Sequence, residues 1–209
     1  KDSREMSHMN IPAWNAEGLM PPVVEASSPN VQSSRLPYKV DITDLCEYFS
    51  TSPKRIEILN KLLDYRKLIH DTGLTTGMQW INGSFTENVE VREERSPNDI
   101  DVVNYVKIPP EIAKDESKAG AILYPLAIKP ENKTAIKTNY LVDAYSICYG
   151  YQALNYEYIE VAAYWYSMWS HTRDGIWKGF LAIDLAPHLD SQARQILQNK
   201  LNPVEDTNA

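Results

Sequence analysis

The residues best suited to chemistry lie in two short stretches, Trp80-Ile-Asn-Gly-Ser-Phe85 and Pro97-Asn-Asp-Ile-Asp-Val-Val103, with one further acid, Asp143. A strand that ends in Gly83-Ser84 presents backbone N–H groups and a hydroxyl. These are the donors that cradle a phosphate, and glycine lets the chain come close to it. Asp99 and Asp101 are two residues apart, so in an extended segment they project to the same side. Two carboxylates ~4 Å apart repel by ~1 kcal/mol in water and by more at lower dielectric, which invites a cation between them. Few, charged, partly open oxygen ligands suit Mg²⁺ or Mn²⁺, with waters and substrate phosphates filling the shell. Asp143 on a neighbouring strand would supply the third carboxylate of a two-metal site, whose ions ~3.5–4 Å apart stabilise the attacking and leaving oxygens of a phosphoryl or nucleotidyl transfer. An Asp-x-Asp or a Gly-Ser alone is commonplace on a strand edge; the ordered set carries the inference.

The elements that must position these residues follow from pattern. Residues 1–8 read as a tag remnant, since Ser7-His8-Met9 has the look of a cloning scar and Met9 of a native start. Residues 9–36, rich in Pro, Ser and Asn, read as an extended arm that docks through Ile11, Trp14, Leu19 and Met20. Residues 37–202 read as a single domain and 203–209 as a polar tail. Within the domain, Tyr38 to Ile42 is a short extended piece and Thr43 caps a helix through Phe49. Ser52-Pro53 opens a long helix that Gly73 ends. Strands are expected at Met78–Ile81, Asp99–Val106, Tyr140–Ile147 and Gly179–Leu185. Helices are expected over Glu111–Leu126, Ala153–Thr172 and Ser191–Leu201, and a loop over Lys129–Lys133. The fold class is therefore α/β (α+β), with a mixed sheet of about four strands flanked by helices.

Composition bounds the partners. The net charge of −7 argues against tight, sequence-independent duplex binding, which depends on Lys and Arg neutralising phosphates. A small anionic ligand carried with its own metal fits better. No apolar run approaches the roughly 20 residues that span a bilayer, so the expected location is cytoplasmic with no membrane partner. Cys46 and Cys148 lack metal-ligand spacing and read as buried free thiols.

Other residues are weighed against plainer roles. His171, Arg173 and Lys178 flank the turn before the last strand; they could reach a triphosphate or a nucleic-acid end, or simply line a solvated turn, and Arg173 and Lys178 are the nucleotide-binding candidates. Tyr145, Tyr149, Tyr151, Tyr156, Tyr158, Tyr164 and Tyr166 could stack bases, though a structural role is the better reading. His70, at a helix end, reads as structural. Glu87 to Glu94 reads as a mobile acidic flap beside the site.

The ordered set resembles the nucleotidyltransferase superfamily, which includes polymerase β, antibiotic nucleotidyltransferases, poly(A) polymerases and cyclic-oligonucleotide synthases. The superfamily pattern places a hydrophobic residue before Gly-Gly or Gly-Ser, and then Asp-hydrophobic-Asp about a dozen residues on; here Asn82 takes the hydrophobic place and the spacing to Asp99 is slightly long. Ile11-Pro-Ala-Trp-Asn15, Gly18-Leu-Met-Pro-Pro22, Gly83-Ser-Phe85, Pro97-Asn-Asp-Ile-Asp101 and Lys178-Gly179 are similar to a bacterial family within that superfamily. The resemblance implies that Gly83 and Ser84 bind a triphosphate, that Asp99 and Asp101 bind metal, and that Asp143 is the third acid. It further implies an NTP or dNTP donor, a nucleic-acid, nucleotide or protein acceptor, and a role in bacterial defence or toxin–antitoxin systems with a partner protein encoded nearby. The competing expectation is a catalytically silent binding module, acting as antitoxin or sensor.

Overall fold

Ile100, Val102, Asn104 and Val106 alternate with Asp101, Val103 and Tyr105, giving a strand with two unlike faces around which the other elements are arranged. The computed structural model describes residues 11–22, 36–150 and 156–202. Its elements run β1 (Tyr38–Lys39), α1 (Ile42–Phe49), α2 (Pro53–His70), β2 (Gly77–Asn82), α3 (Val89–Arg92), β3 (Ile100–Lys107), α4 (Pro110–Ala113), α5 (Glu116–Ile122), α6 (Pro130–Tyr140), β4 (Val142–Tyr149), α7 (Tyr156–Trp169), β5 (Leu181–Asp184) and α8 (Asp190–Leu201).

The strands form one mixed sheet in the order β1-β5-β2-β3-β4. β2 is antiparallel to both β3 and β5, whereas β1 runs parallel to β5 and β4 parallel to β3. Ile81, Val102, Val106, Ala144, Leu181 and Ile183 enter the main core together with Leu45 and Phe49 of α1, Leu62 of α2, Ile136 of α6 and Leu197 of α8. Val103 and Phe180 instead join Trp165 and Trp169 of α7 in a second, smaller core, with Trp80, Tyr105 and Tyr145 packed against it. The fold is thus α/β with a mixed sheet flanked by helices, as expected, with five strands rather than four.

Polar groups tie the layers. The Arg66 guanidinium, fully buried on α2, donates to Gln79 Oε1 at 2.6 Å and to both oxygens of Asp190. Gln79 Nε2 donates to Asn104 Oδ1 at 2.7 Å, and Asn104 Nδ2 reaches Tyr65 Oη and the Tyr145 carbonyl. The segment 11–22 docks as anticipated, with Ile11, Leu19 and Met20 buried. Trp14 Nε1 donates to the Thr86 carbonyl at 2.8 Å, and the Gly179 N–H donates to the Met20 carbonyl at 2.8 Å. The rest of the arm, the residues read as a tag remnant, the tail, Tyr151 and the first turn of the expected helix from Ala153 lie outside the described residues.

Several boundaries differ for local reasons. Ser52 caps α2 by accepting from the Arg55 N–H, as the sequence indicates. α1, however, is capped at Asp41 rather than Thr43: the Asp41 N–H donates to the Asp44 carboxylate at 3.3 Å, and Thr43 lies inside the first turn. The single helix expected over 111–126 breaks at Asp115, whose side chain caps α5 through the Ser117 and Lys118 N–H groups. Lys129–Lys133 is not a loop but the entry to α6, with Pro130 in the first turn, where its missing N–H costs nothing. α6 runs through Tyr140, and Leu141 then takes a left-handed φ of 52°, so β4 begins at Val142. Among the described residues no helix is long and apolar enough to cross a membrane.

Candidate active site

Register brings the acids together. Asp101 on β3 stands opposite Asn82 of β2 on one side and Asp143 of β4 on the other. Alternation puts both acids on the α7 face of the sheet, with Asp99 immediately before the strand. Beside them the chain leaves β2 through Gly83, whose φ of 81° favours glycine, and makes a single 3₁₀ turn over Ser84–Thr86. Asn82, in the hydrophobic place of the pattern, is buried: its Nδ2 donates to the Trp169 carbonyl at 2.9 Å and fastens the end of α7 to the end of β2.

The segment after Ser84 is held from beneath by Arg55. This fully buried guanidinium pairs with both oxygens of Glu90 at 2.7 Å and donates to the carbonyls of Phe85 and Glu87 at 2.6 and 2.7 Å. It also lies against the rings of Trp14, Phe49 and Phe85. Although burial acts the other way, Arg55 holds the Glu90 carboxyl below the usual range.

The acids have cationic neighbours. Lys137 Nζ lies 2.7 Å from Asp99 Oδ2 and 2.8 Å from Asp143 Oδ2. Lys133 Nζ lies 3.1 Å from Asp143 Oδ1 but off hydrogen-bonding geometry, so this buried oxygen accepts no hydrogen bond among the described residues. Burial would raise the Asp143 carboxyl, yet the two ammoniums outweigh it and hold it below the ordinary value. Asp101 goes the other way, pushed up to about 6 by burial and then by the charges of Asp99 and Asp143.

In the same cleft, Glu87 is buried between Lys178 and Arg92 and bonds to both. Burial lowers the pKa of Lys178 against the pull of Glu87. Two expectations change here. Lys178 is not a free cation on a solvated turn but a buried one committed to Glu87. The stretch Glu87–Glu94 is not a mobile flap, because Glu87 and Glu90 are anchored by buried cations; Glu93 pairs at the surface with Arg95. Arg173 and His171 remain exposed at the turn.

Asp99, Asp101, Asp143, Gly83, Ser84, Lys178 and Arg173, nominated from the sequence, all line one cleft of about 760 Å³. Among the described residues no three His, Cys, Asp or Glu side chains are grouped so as to hold a metal ion. The acids offer a partial, all-oxygen shell with an ammonium held between two of them. That donor chemistry fits a hard divalent cation that keeps waters and takes ligand oxygens. Sequence reasoning missed Arg55, Arg92, Lys133 and Lys137. Of these, the two lysines were readable as an i, i+4 pair had residues 130–140 been assigned as helix.

His70 Nε2 lies 2.7 Å from the Leu185 carbonyl. Tyr145 is half-buried, with Lys133 Nζ 3.2 Å from its ring centroid and Trp165 at 4.5 Å, whereas Tyr156 and Tyr164 are exposed. Burial pushes the Cys46 thiol up to about 12 and that of the partly buried Cys148 to about 11.

A family model described as "Family of unknown function (DUF6932)" matches residues 12–184, and the chain belongs to that family. No curated protein and no solved structure matches the chain.

Proposed function

We propose that the chain is a nucleotidyltransferase that uses Mg²⁺ or Mn²⁺ to transfer a nucleotidyl group from an NTP or dNTP to a hydroxyl acceptor. The observation that carries this reading is the register: Asp101 stands between Asn82 and Asp143, with the Gly83-Ser84 turn beside it, so phosphate donors and carboxylates share one cleft. The turn's N–H groups and the Ser84 hydroxyl bind the triphosphate, and Arg173 at the rim supplies positive charge to its outer oxygens. Asp99, Asp101 and Asp143 are the residues that would hold the divalent ions, whose chemistry is to neutralise phosphate charge and polarise the reacting oxygens. Asp143, on the edge strand, orients the acceptor hydroxyl and takes its proton. Glu87, Lys178 and Arg92 act on the site by fixing one wall of the same cleft.

A nucleic-acid end, a nucleotide or a protein side chain would each serve as acceptor. From the resemblance we further propose a setting in bacterial defence or toxin–antitoxin systems, in the cytoplasm and with a protein partner. A second reading, a catalytically silent module serving as antitoxin or sensor, draws on one observation: Lys137 already neutralises two of the acids.

Incubation with each labelled NTP and dNTP, with Mg²⁺ or Mn²⁺ and with DNA ends, RNA ends or protein as acceptor, separates the two. Pyrophosphate release and a new labelled product from the wild-type chain, lost in Asp99→Ala/Asp101→Ala, support transfer. Silence under every combination removes it in favour of the module.

A further inference from the structure

We infer that Lys137 is the resident counter-ion of the carboxylate set and that a divalent cation must displace it to bind. This rests on the metal-dependent reading above and adds to it what an arriving cation must displace. α6 delivers the lysine: the Leu141 N–H donates to the Lys137 carbonyl at 3.0 Å, and the left-handed Leu141 turns the chain at once into β4. Lys137 and Asp143 therefore sit on two elements joined by the single residue Leu141. The Lys137 ammonium lies within 2.8 Å of an oxygen of both Asp99 and Asp143. A divalent ion bonded to those oxygens at ~2.1 Å cannot share the space with that nitrogen.

The side chain is free to leave. Lys137 is 48 % exposed, and its charge is a compact ammonium on a flexible stem rather than a planar fork that would clamp both carboxylates. Lys133, one turn earlier, faces the Tyr145 ring and the other oxygen of Asp143, so a positive charge remains near Asp143 when Lys137 swings out. Lys137 is thus a positioning residue. It holds Asp99 and Asp143 in their places before loading and sets the cation concentration at which loading occurs.

The test measures binding of Mn²⁺ alone to the full chain, from the free-Mn²⁺ electron paramagnetic resonance signal. Wild type is compared with Lys137→Met, Lys137→Gln and Lys137→Met/Asp101→Asn, with thermal melting to verify folding. Removing the competing positive charge should tighten Mn²⁺ binding about tenfold in both single variants. Asp101 does not touch Lys137, so loss of binding in the double variant locates the ion among the acids. Equal or weaker binding in Lys137→Met and Lys137→Gln overturns the inference while leaving the metal site intact. Tightening that survives Asp101→Asn also overturns it, because the ion then lies elsewhere. No Mn²⁺ binding by any variant overturns the inference, and the metal-dependent function would then require the ion to enter with the nucleotide.

Discussion

Gly83 and Asp101 meet so closely across the β2–β3 ladder that a β-carbon on Gly83 would lie 1.8 Å from Asp101 Oδ2. The φ of 81° adds backbone strain for any other residue. Gly83→Ala should therefore displace the Asp101 carboxylate and lower stability by about 2 kcal/mol, seen as a lower urea midpoint. It should also abolish nucleotide-dependent product formation. A variant with unchanged midpoint and activity would show that the turn relaxes freely, against the close approach described here.

Asp101 should weaken the fold as it ionises. Its carboxyl is raised to about 6 when folded, against ~3.9 in the unfolded chain. The folded state therefore holds a proton that the unfolded state has lost, and the stability this gives declines as pH rises from about 4 through 6. Asp101→Asn escapes the loss. In chelator at pH 7.5 it should be more stable than wild type by roughly 2–3 kcal/mol, with the difference vanishing near pH 4. Melting curves across this range decide the matter, and a variant less stable at pH 7.5 contradicts it.

Arg55 should tolerate no substitute. Arg55→Met leaves the Phe85 and Glu87 carbonyls and the Glu90 carboxylate without their buried donor, a cost of about 3 kcal/mol or more. Arg55→Lys should recover little, since one ammonium cannot reproduce the planar fork. Denaturant unfolding of both variants provides the comparison, and full rescue by lysine would reduce the site to a simple charge.

Glu87 and Lys178 should behave as a unit. Lys178→Met strands a buried carboxylate beside Arg92 alone and should cost about 3 kcal/mol. Adding Glu87→Gln removes the stranded charge, so the double variant should lose less than the two single variants together. Additive losses in a double-mutant cycle would mean that the two side chains act independently.

The sequence made the acid set, the Gly83 turn and the long helices legible because each writes its own local signal: a cap at Ser52, strand alternation around Asp101, a helical stripe ending at Trp169. What it concealed depends on distant partners or on weak periodicity. α6 buries only Ile136 completely, so no apolar stripe announces it, and with it went Lys133 and Lys137. β1 is two residues long and exists by pairing with β5, far along the chain. Glu87 reads as one of a run of acids until folding brings Lys178 to it across 91 residues. Charge sequence gives sign but not partner.

The buried chain of side chains from Arg66 through Gln79 and Asn104 to the Tyr145 carbonyl crosses α2, β2, β3 and β4. It works as a key for strand alignment. Hydrophobic faces alone would accept slips of two residues as readily as the native pairing, since alternation is preserved; slips of one residue turn every side chain over. A two-residue slip of β3 would carry Asn104 away from both Gln79 and Tyr145, leaving amides unpaired in the interior. The same slip would move Asp101 off Asn82 and Asp143. The polar thread through the core thereby makes misaligned chemistry also misfolded protein.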